Sequence, residues 1–178
     1  MTVWFTSDTH FSDPRVLRID KRPYPDLVAH DAALIANWNA VVAPDDTVWH
    51  LGDVALKPTT VRIAEILGSL AGIKHLIVGN NDGPETLEAA GWASVGFYAE
   101  IVVDDRPLVL CHYAFRTWNG MGRGALDLHG HSHARLTPIP KQYDVGVDAQ
   151  DFRPVDLPAI LASRRARKVG VRKAEPSP

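Results

Sequence analysis

The stretch "LIVGNNDG", Leu76 to Gly83, decides how this chain is read. An apolar run stops abruptly and delivers two amides and a carboxylate between two glycines. Short apolar runs bounded by turn residues read as buried strands, so Asn80, Asn81 and Asp82 stand at a strand exit. The same form recurs in "VWFTS" from Val3, "TVWHL" from Thr47, "EIVV" from Glu100, "PLVLC" from Pro107, "ALDLHG" from Ala125 and "YDVGV" from Tyr143. Helical patterns fall between the early runs. In "VAHDAALIANWNAVV" the residues Ala32, Ile35, Trp38 and Val42 lie on one 3.6-period stripe, with Pro44 closing it. Further helices are expected over Thr59 to Leu70, over Pro84 to Ala90 and from Leu157. Alternation of strand and helix, followed mainly by strands, predicts an α/β domain with mixed sheets.

The strand exits share a chemistry. "VWFTSDTH" leaves Asp8 and His10, "VWHLGD" leaves Asp53, "LIVGNND" leaves Asn80, "LVLCH" leaves His112 and "LHGHSH" leaves His131 and His133. Each residue alone also suits a turn, a cap or a hydrogen-bonded core position. Five strand exits of ligand type are a different matter, because open α/β sheets bind ligands at the carboxyl ends of their strands. Two carboxylates, one amide oxygen and four imidazoles exceed the needs of one tetrahedral ion, and with one carboxylate shared they supply two. The mixed oxygen and nitrogen set suits Mn²⁺, Fe or Zn²⁺ and excludes a thiolate site. Gly52, Gly79 and Gly130 allow the backbone to turn tightly beside these ligands.

Composition sets the frame. The chain has 178 residues, 46% of them apolar, enough for one self-sufficient core, expected over residues 1–163. Residues 164–178 carry six basic side chains and little to bury, which reads as a solvated, flexible tail. A net charge of −2 gives no global electrostatic case for nucleic acid or anionic membrane. No apolar run approaches the ~20 residues of a membrane span, no signal peptide is evident, and Cys111 is the only cysteine, so a cytoplasmic protein is expected.

Taken in order, D-x-H (Asp8, His10), G-D (Gly52, Asp53), G-N-x-D (Gly79, Asn80, Asp82), a strand-end His112 and G-H-x-H (Gly130 to His133) resemble the calcineurin-like metallophosphoesterase superfamily. "NWN" at Asn37 to Asn39 and "DVGVDA" at Asp144 to Ala149 are similar to a small bacterial branch of it. The resemblance implies a four-layer α-β-β-α sandwich of two mixed β-sheets flanked by helices, the metallo-dependent phosphatase fold. It implies Asp8, His10 and His133 on one divalent ion, Asn80, His112 and His131 on a second, and Asp53 on both. It further implies a phosphate-ester substrate, either a phosphomonoester or a phosphodiester, attacked in line by a hydroxide bridging the metals. Asp53, Asn80, Asn81 and Asp82 are the residues expected to serve catalysis directly.

Asn81 departs from the family pattern, in which many members place His after the ligand Asn. An amide donates hydrogen bonds but yields no proton at neutral pH, so good leaving groups such as aryl phosphates or phosphodiesters are expected to be preferred. Asp82 either orients Asn81 or a water, or forms the turn before Gly83. A non-catalytic metal-binding scaffold of the same fold is the alternative. His129 is a candidate support for the ligands, His50 and His75 read as sheet residues, and Cys111 as a buried structural thiol. The loop "YAFRTWNGMGRGALDL" offers Arg116, Trp118 and Arg123 to a substrate, and Arg15, Arg18, Lys21 and Arg22 are weaker candidates.

Overall fold

The computed structural model describes residues 1–137 and 139–162. The first sheet contains β1 (Val3–Thr6), β2 (Thr47–His50), β3 (Ile73–Ile77), β4 (Trp92–Gly96) and a two-residue strand near the end of the chain, Val155–Asp156. Its order is β4-β3-β2-β1 followed by that last strand, which alone runs antiparallel. The second sheet is β5 (Ala99–Val103), β6 (Arg106–Leu110), β7 (Leu126–His129) and β8 (Gln142–Asp144), in that order, with only β5 antiparallel. The short strand at Val155–Asp156 is β9. Every ligand-bearing strand is therefore parallel to its ligand-bearing neighbours, and their carboxyl ends meet at one edge. An isolated parallel bridge between Ser7 and Gly146 ties the two sheets there.

The inner faces pack Phe5, Leu51, Ile77, Leu108, Leu110 and Leu128 between the sheets, and the helix beginning at Leu157 closes this core with Leu157 and Ile160. On the outer face of the first sheet lie α2 (Leu27–Asn39) and α3 (Thr60–Ser69), which follow the short α1 (Arg15–Arg18). Asp26 caps α2 by accepting from Ala29 N at 2.8 Å, and Thr59 caps α3 by accepting from Arg62 N at 3.1 Å. α3 buries Ile63, Ile66 and Leu67 at helical spacing. A fourth helix, α4 (Pro84–Leu87), starts with proline in its first turn and is shorter than the 84–90 expected.

Three expectations change. The buried stripe of α2 is His30, Asp31, Leu34 and Trp38, whereas Ala32 is exposed and Ile35 only half-buried. The helix is rotated because the segment following β1 satisfies its polar residues: Arg22 Nη1 lies 3.0 Å from His30 Nε2, and Ser12 N donates to Asp31 Oδ1 at 3.1 Å. β4 and β9 were not legible, one being a small-residue edge strand and the other two residues long. The second sheet is covered on its outer face by the 113–125 loop, with one 3-10 turn (Met121–Arg123) and buried Trp118, packed on Val109 and Ala125. The basic tail from residue 164 lies outside the described residues.

Candidate metal centre

Most of the candidate ligands leave their strands through strained turns. Asp8, His10, Asp53, His131 and His133, five of the seven, have φ between 46° and 65°, a left-handed backbone that costs energy in residues bearing a Cβ. Such strain persists where the surroundings over-determine it. Gly52 turns at φ +93°, and a Cβ there would stand 2.5 Å from Gly79 N and 2.8 Å from His112 Nδ1. A Cβ on Gly130 would collide with Ser7 Oγ and Asp8 Oδ2. The β2 exit thus packs on the β3 exit, and the β7 exit on the β1 exit, with no room for a side chain between them.

Two groups result: Asp8, His10 and His133, and Asp53, His112 and His131, the ligand atoms within each lying within 4.8 Å of one another. They are joined through Asp53, whose Oδ2 is 3.5 Å from His10 Nε2 and 3.6 Å from His112 Nε2. Asn80 Oδ1 enters the second group at 3.1 Å from His112 Nε2. His133 Nε2 is 3.8 Å from Asp8 Oδ1. Two donors held about 2.1 Å from one ion at a tetrahedral angle lie about 3.4 Å apart, so these spacings suit a shared cation.

The histidine tautomers agree. Nδ1 of His10 faces Asp13 Oδ2 at 3.1 Å, Nδ1 of His112 faces the Leu51 carbonyl at 2.7 Å, and Nδ1 of His133 faces Asp148 Oδ2 at 2.8 Å. Acceptors face these nitrogens, so Nδ1 of His10 and His133 can donate and leave Nε2 its lone pair for a metal, while Nε2 of His112 also faces an acceptor, Asn80 Oδ1, and a cation between the two would let both serve as ligands. His10 Nε2 is the decisive atom: it is buried and has no hydrogen-bond partner. A buried polar atom without a partner costs free energy, and a cation between His10, Asp8 and Asp53 would satisfy it. Asp8 tells the same story. Burial pushes its pKa well above the usual carboxylate range, with Asp144 and Asp53 adding to the rise and His133 opposing it. A divalent cation alongside would invert that balance. The residues present fit two divalent ions.

Around the ligands lies a layer of supports. Asp82 accepts from Asp53 N, Val54 N and Gly79 N, each at 2.8 Å, and so staples the β2 exit to the β3 exit. Asp144 accepts from Ser132 Oγ at 2.6 Å and from Ala134 N at 2.9 Å, holding the loop of His131 and His133. Asp148 is gripped by Arg22, through Nε at 2.9 Å and Nη2 at 2.7 Å, while the same guanidinium donates to the Asp8 and Thr9 carbonyls. Burial would raise the Asp148 pKa, but the His133 and Arg22 hydrogen bonds outweigh it and bring it down to about 2. Burial disfavours the charged form of His133, yet the Asp148 hydrogen bond and the charges of Asp8, Asp148 and Asp20 leave its pKa raised. His131 is lowered by burial and by His112.

Asn81 donates through Nδ2 to Asp53 Oδ2 at 2.6 Å and through its backbone N–H to Asp53 Oδ1 at 2.8 Å, and its Oδ1 accepts from Arg15 Nη2 at 3.1 Å. His129 is buried on β7 and turns Nδ1 to the Gly130 carbonyl, in neither ligand group. His75 stacks on Trp49 at 4.5 Å between ring centroids, and Cys111 is a buried free thiol. Trp118 is committed to packing, its Nε1 donating to the Ala125 carbonyl at 3.0 Å, which removes it from the substrate candidates. Among the described residues, no hydrogen bond or ion pair joins Arg18, Lys21, Arg116 or Arg123 to the ligands. Sequence reasoning missed Asp13 and Asp148 altogether and underrated Arg22. Their one visible signal was proximity, Asp13 three residues after His10 and Asp148 inside the "DVGVDA" block. It also missed His50, which accepts from Gly52 N at 3.2 Å and pairs with Thr9 Oγ1 at 2.9 Å, steadying the turn before Asp53.

No helix among the described residues is long and apolar enough to cross a membrane. No family model matches the chain. It is 30% identical to the gene 66 protein of Mycobacterium phage L5, over 82% of this chain and 86% of that protein. It is 31% identical to the gene 66 protein of Mycobacterium phage D29, over 86% and 92%. Among solved structures, a protein of unknown function from Aquifex aeolicus, AQ665, aligns with TM-score 0.73 and 22% identity, over 90% of this chain and 98% of the other. That likeness gives the fold. With two mixed sheets, flanking helices and the ordered blocks of candidate ligands gathered at one sheet edge, the chain belongs with the mycobacteriophage gene 66 proteins.

Proposed function

We propose that this protein is a metal-dependent phosphoesterase with a dinuclear centre, hydrolysing phosphomono- or phosphodiester bonds. The observation that carries this reading is Asp53 Oδ2, standing 3.5 Å from His10 Nε2 and 3.6 Å from His112 Nε2, so that one carboxylate joins both ligand groups. Asp8, His10 and His133 would hold one divalent ion and Asn80, His112 and His131 the other, with Mn²⁺, Fe or Zn²⁺ suited to the donor set. Bound there, two such ions supply Lewis-acid charge for phosphoryl oxygens and lower the pKa of a water. The chain's residues supply position. Asp82 and Asn81 hold the Asp53 carboxylate and its backbone from three sides, and Asp13 and Asp148 aim two imidazoles. No titratable side chain occupies position 81, so the leaving oxygen takes no proton from there, and esters of acidic alcohols are favoured over alkyl esters.

The test is metal content measured beside turnover. Protein loaded with Mn²⁺ or Zn²⁺ is expected to bind two ions and to cleave an aryl phosphodiester or aryl phosphate faster than an alkyl phosphate. The second reading, a metal-binding scaffold, is favoured by one feature: Asn81 is tied between Asp53 and Arg15 rather than left as an acid. Two bound ions with no turnover of monoesters, diesters or cyclic nucleotides would establish it.

A further inference from the structure

Arg15 and Arg22 both hydrogen-bond to carboxylates that orient ligand imidazoles, and they are spent differently. Arg22 is wholly buried, and each of its three nitrogens already has a partner: Asp148, the Asp8 and Thr9 carbonyls and His30. It is a strut. Arg15 is half open, its side chain 41% exposed. Its Nε donates to Asp13 Oδ1 at 2.9 Å, and its Nη2 to Asp13 Oδ2 at 2.7 Å and to Asn81 Oδ1 at 3.1 Å. Among the described residues its Nη1 has no hydrogen-bond partner.

We propose that Arg15 is a phosphate-binding residue of this site, presented by Asp13 and Asn81, and that its free Nη1 edge takes a phosphoryl oxygen of the substrate. This rests on the phosphoesterase reading for the ligand's class. The geometry carries it in three steps. Asp13 is itself fixed by His10 Nδ1, so the carboxylate that aims an imidazole also locks the guanidinium. Asn81 bridges from Arg15 to Asp53 Oδ2, which places the guanidinium one amide group away from the oxygen shared by the two ligand groups. A planar guanidinium held on one edge keeps its orientation with the other edge open, the arrangement suited to a phosphate. Position 81 then has a physical reason to be an amide. Its oxygen accepts from Arg15 while its nitrogen donates to Asp53, which a protonated imidazole, a donor at both nitrogens, does not do. Arg15 supplies a permanent charge where a histidine would supply a proton.

The experiment is binding of inorganic phosphate to the Mn²⁺-loaded protein by calorimetry, in the wild type, Arg15→Ala and Arg15→Lys, with metal content measured in each. Loss of a hydrogen bond to a charged group predicts phosphate affinity about 10–100-fold weaker in Arg15→Ala at unchanged metal content. Arg15→Lys should recover part of the affinity, and millimolar guanidinium should recover part of it in Arg15→Ala. Equal affinity in wild type and Arg15→Ala, no binding by the loaded wild type, or a loss matched by loss of metal and unmoved by guanidinium or by Arg15→Lys would overturn the proposal and leave Arg15 a brace for Asp13. Phosphate binding that depends on Arg15 in a protein that hydrolyses nothing would instead overturn the phosphoesterase reading and keep the binding residue.

Discussion

The two ligand groups are built to different standards. Asp8 and His10 are buried, His133 is half-buried, and a frame of buried Asp13 and Arg22 with half-buried Asp148 fixes both imidazoles. In the other group, Asn80 and His131 are exposed, and only His112 is buried with its Nδ1 fixed. His131 is packed instead against Tyr113, at 4.8 Å between ring centroids, and Tyr113 is itself 47% exposed. A ligand whose outer nitrogen is oriented holds its metal more tightly, and an open site exchanges with solvent. On the proposed dinuclear reading, the comparison assigns a structural character to an ion in the first group and an exchangeable one to an ion in the second, with Asp53 coupling them.

Removing the coupling should have the largest effect. Asp53→Ala is expected to abolish the second ion, weaken the first and lower turnover by at least about 10³-fold, read from metal content and initial rates together. Retention of two ions would break the comparison at its root. Next is the frame of the tighter site. Asp148→Asn leaves the buried Arg22 without its carboxylate and should lower stability by about 3 kcal/mol in thermal or urea unfolding, with affinity for the first ion about 10–100-fold weaker. His131→Ala, on the open side, should weaken only the second ion and shift stability by less than about 1 kcal/mol. Stepwise removal with a chelator sharpens the contrast, since the wild type should release its two ions in two phases and His131→Ala should lack the first-released one.

The smallest effect concerns pH. His50 is neutral in the fold because burial drives its pKa down to about 3, with Asp53 opposing and His112 and His10 assisting. Unfolded, it titrates near 6.5, so below about pH 6.5 the unfolded chain binds a proton that the fold refuses. Stability should therefore decline as pH falls through that range, by at most about 1.4 kcal/mol per unit. The slope difference between wild type and His50→Gln in urea melts of metal-free protein, from pH 7 to 4.5, isolates this group. Equal slopes would show that His50 takes up its proton in the folded state.

What was legible in the sequence follows from period and termination. Seven strand runs ended in turn residues, and each lies in a strand of one sheet or the other, because strands buried between layers are predominantly apolar and stop where turn chemistry begins. The seven candidate ligand positions were legible on that basis, and parallel pairing brings their strand ends to one edge. The α2 stripe was misread because apolar periodicity cannot see a buried polar face. His30 and Asp31 face inward only because Arg22 and Ser12, eight and nineteen residues away, arrive to satisfy them.

The sequence by itself determined which residues bear donor atoms and on which strand each would end, since those depend on local periodicity and turn chemistry. Tertiary structure alone decided which acceptors face Nδ1 of His10, His112 and His133, that Asp82 spends both oxygens on backbone amides, and that Asn81 stands between Asp53 and Arg15. Those are properties of hydrogen bonds between segments up to 66 residues apart, and no local pattern encodes a partner's direction.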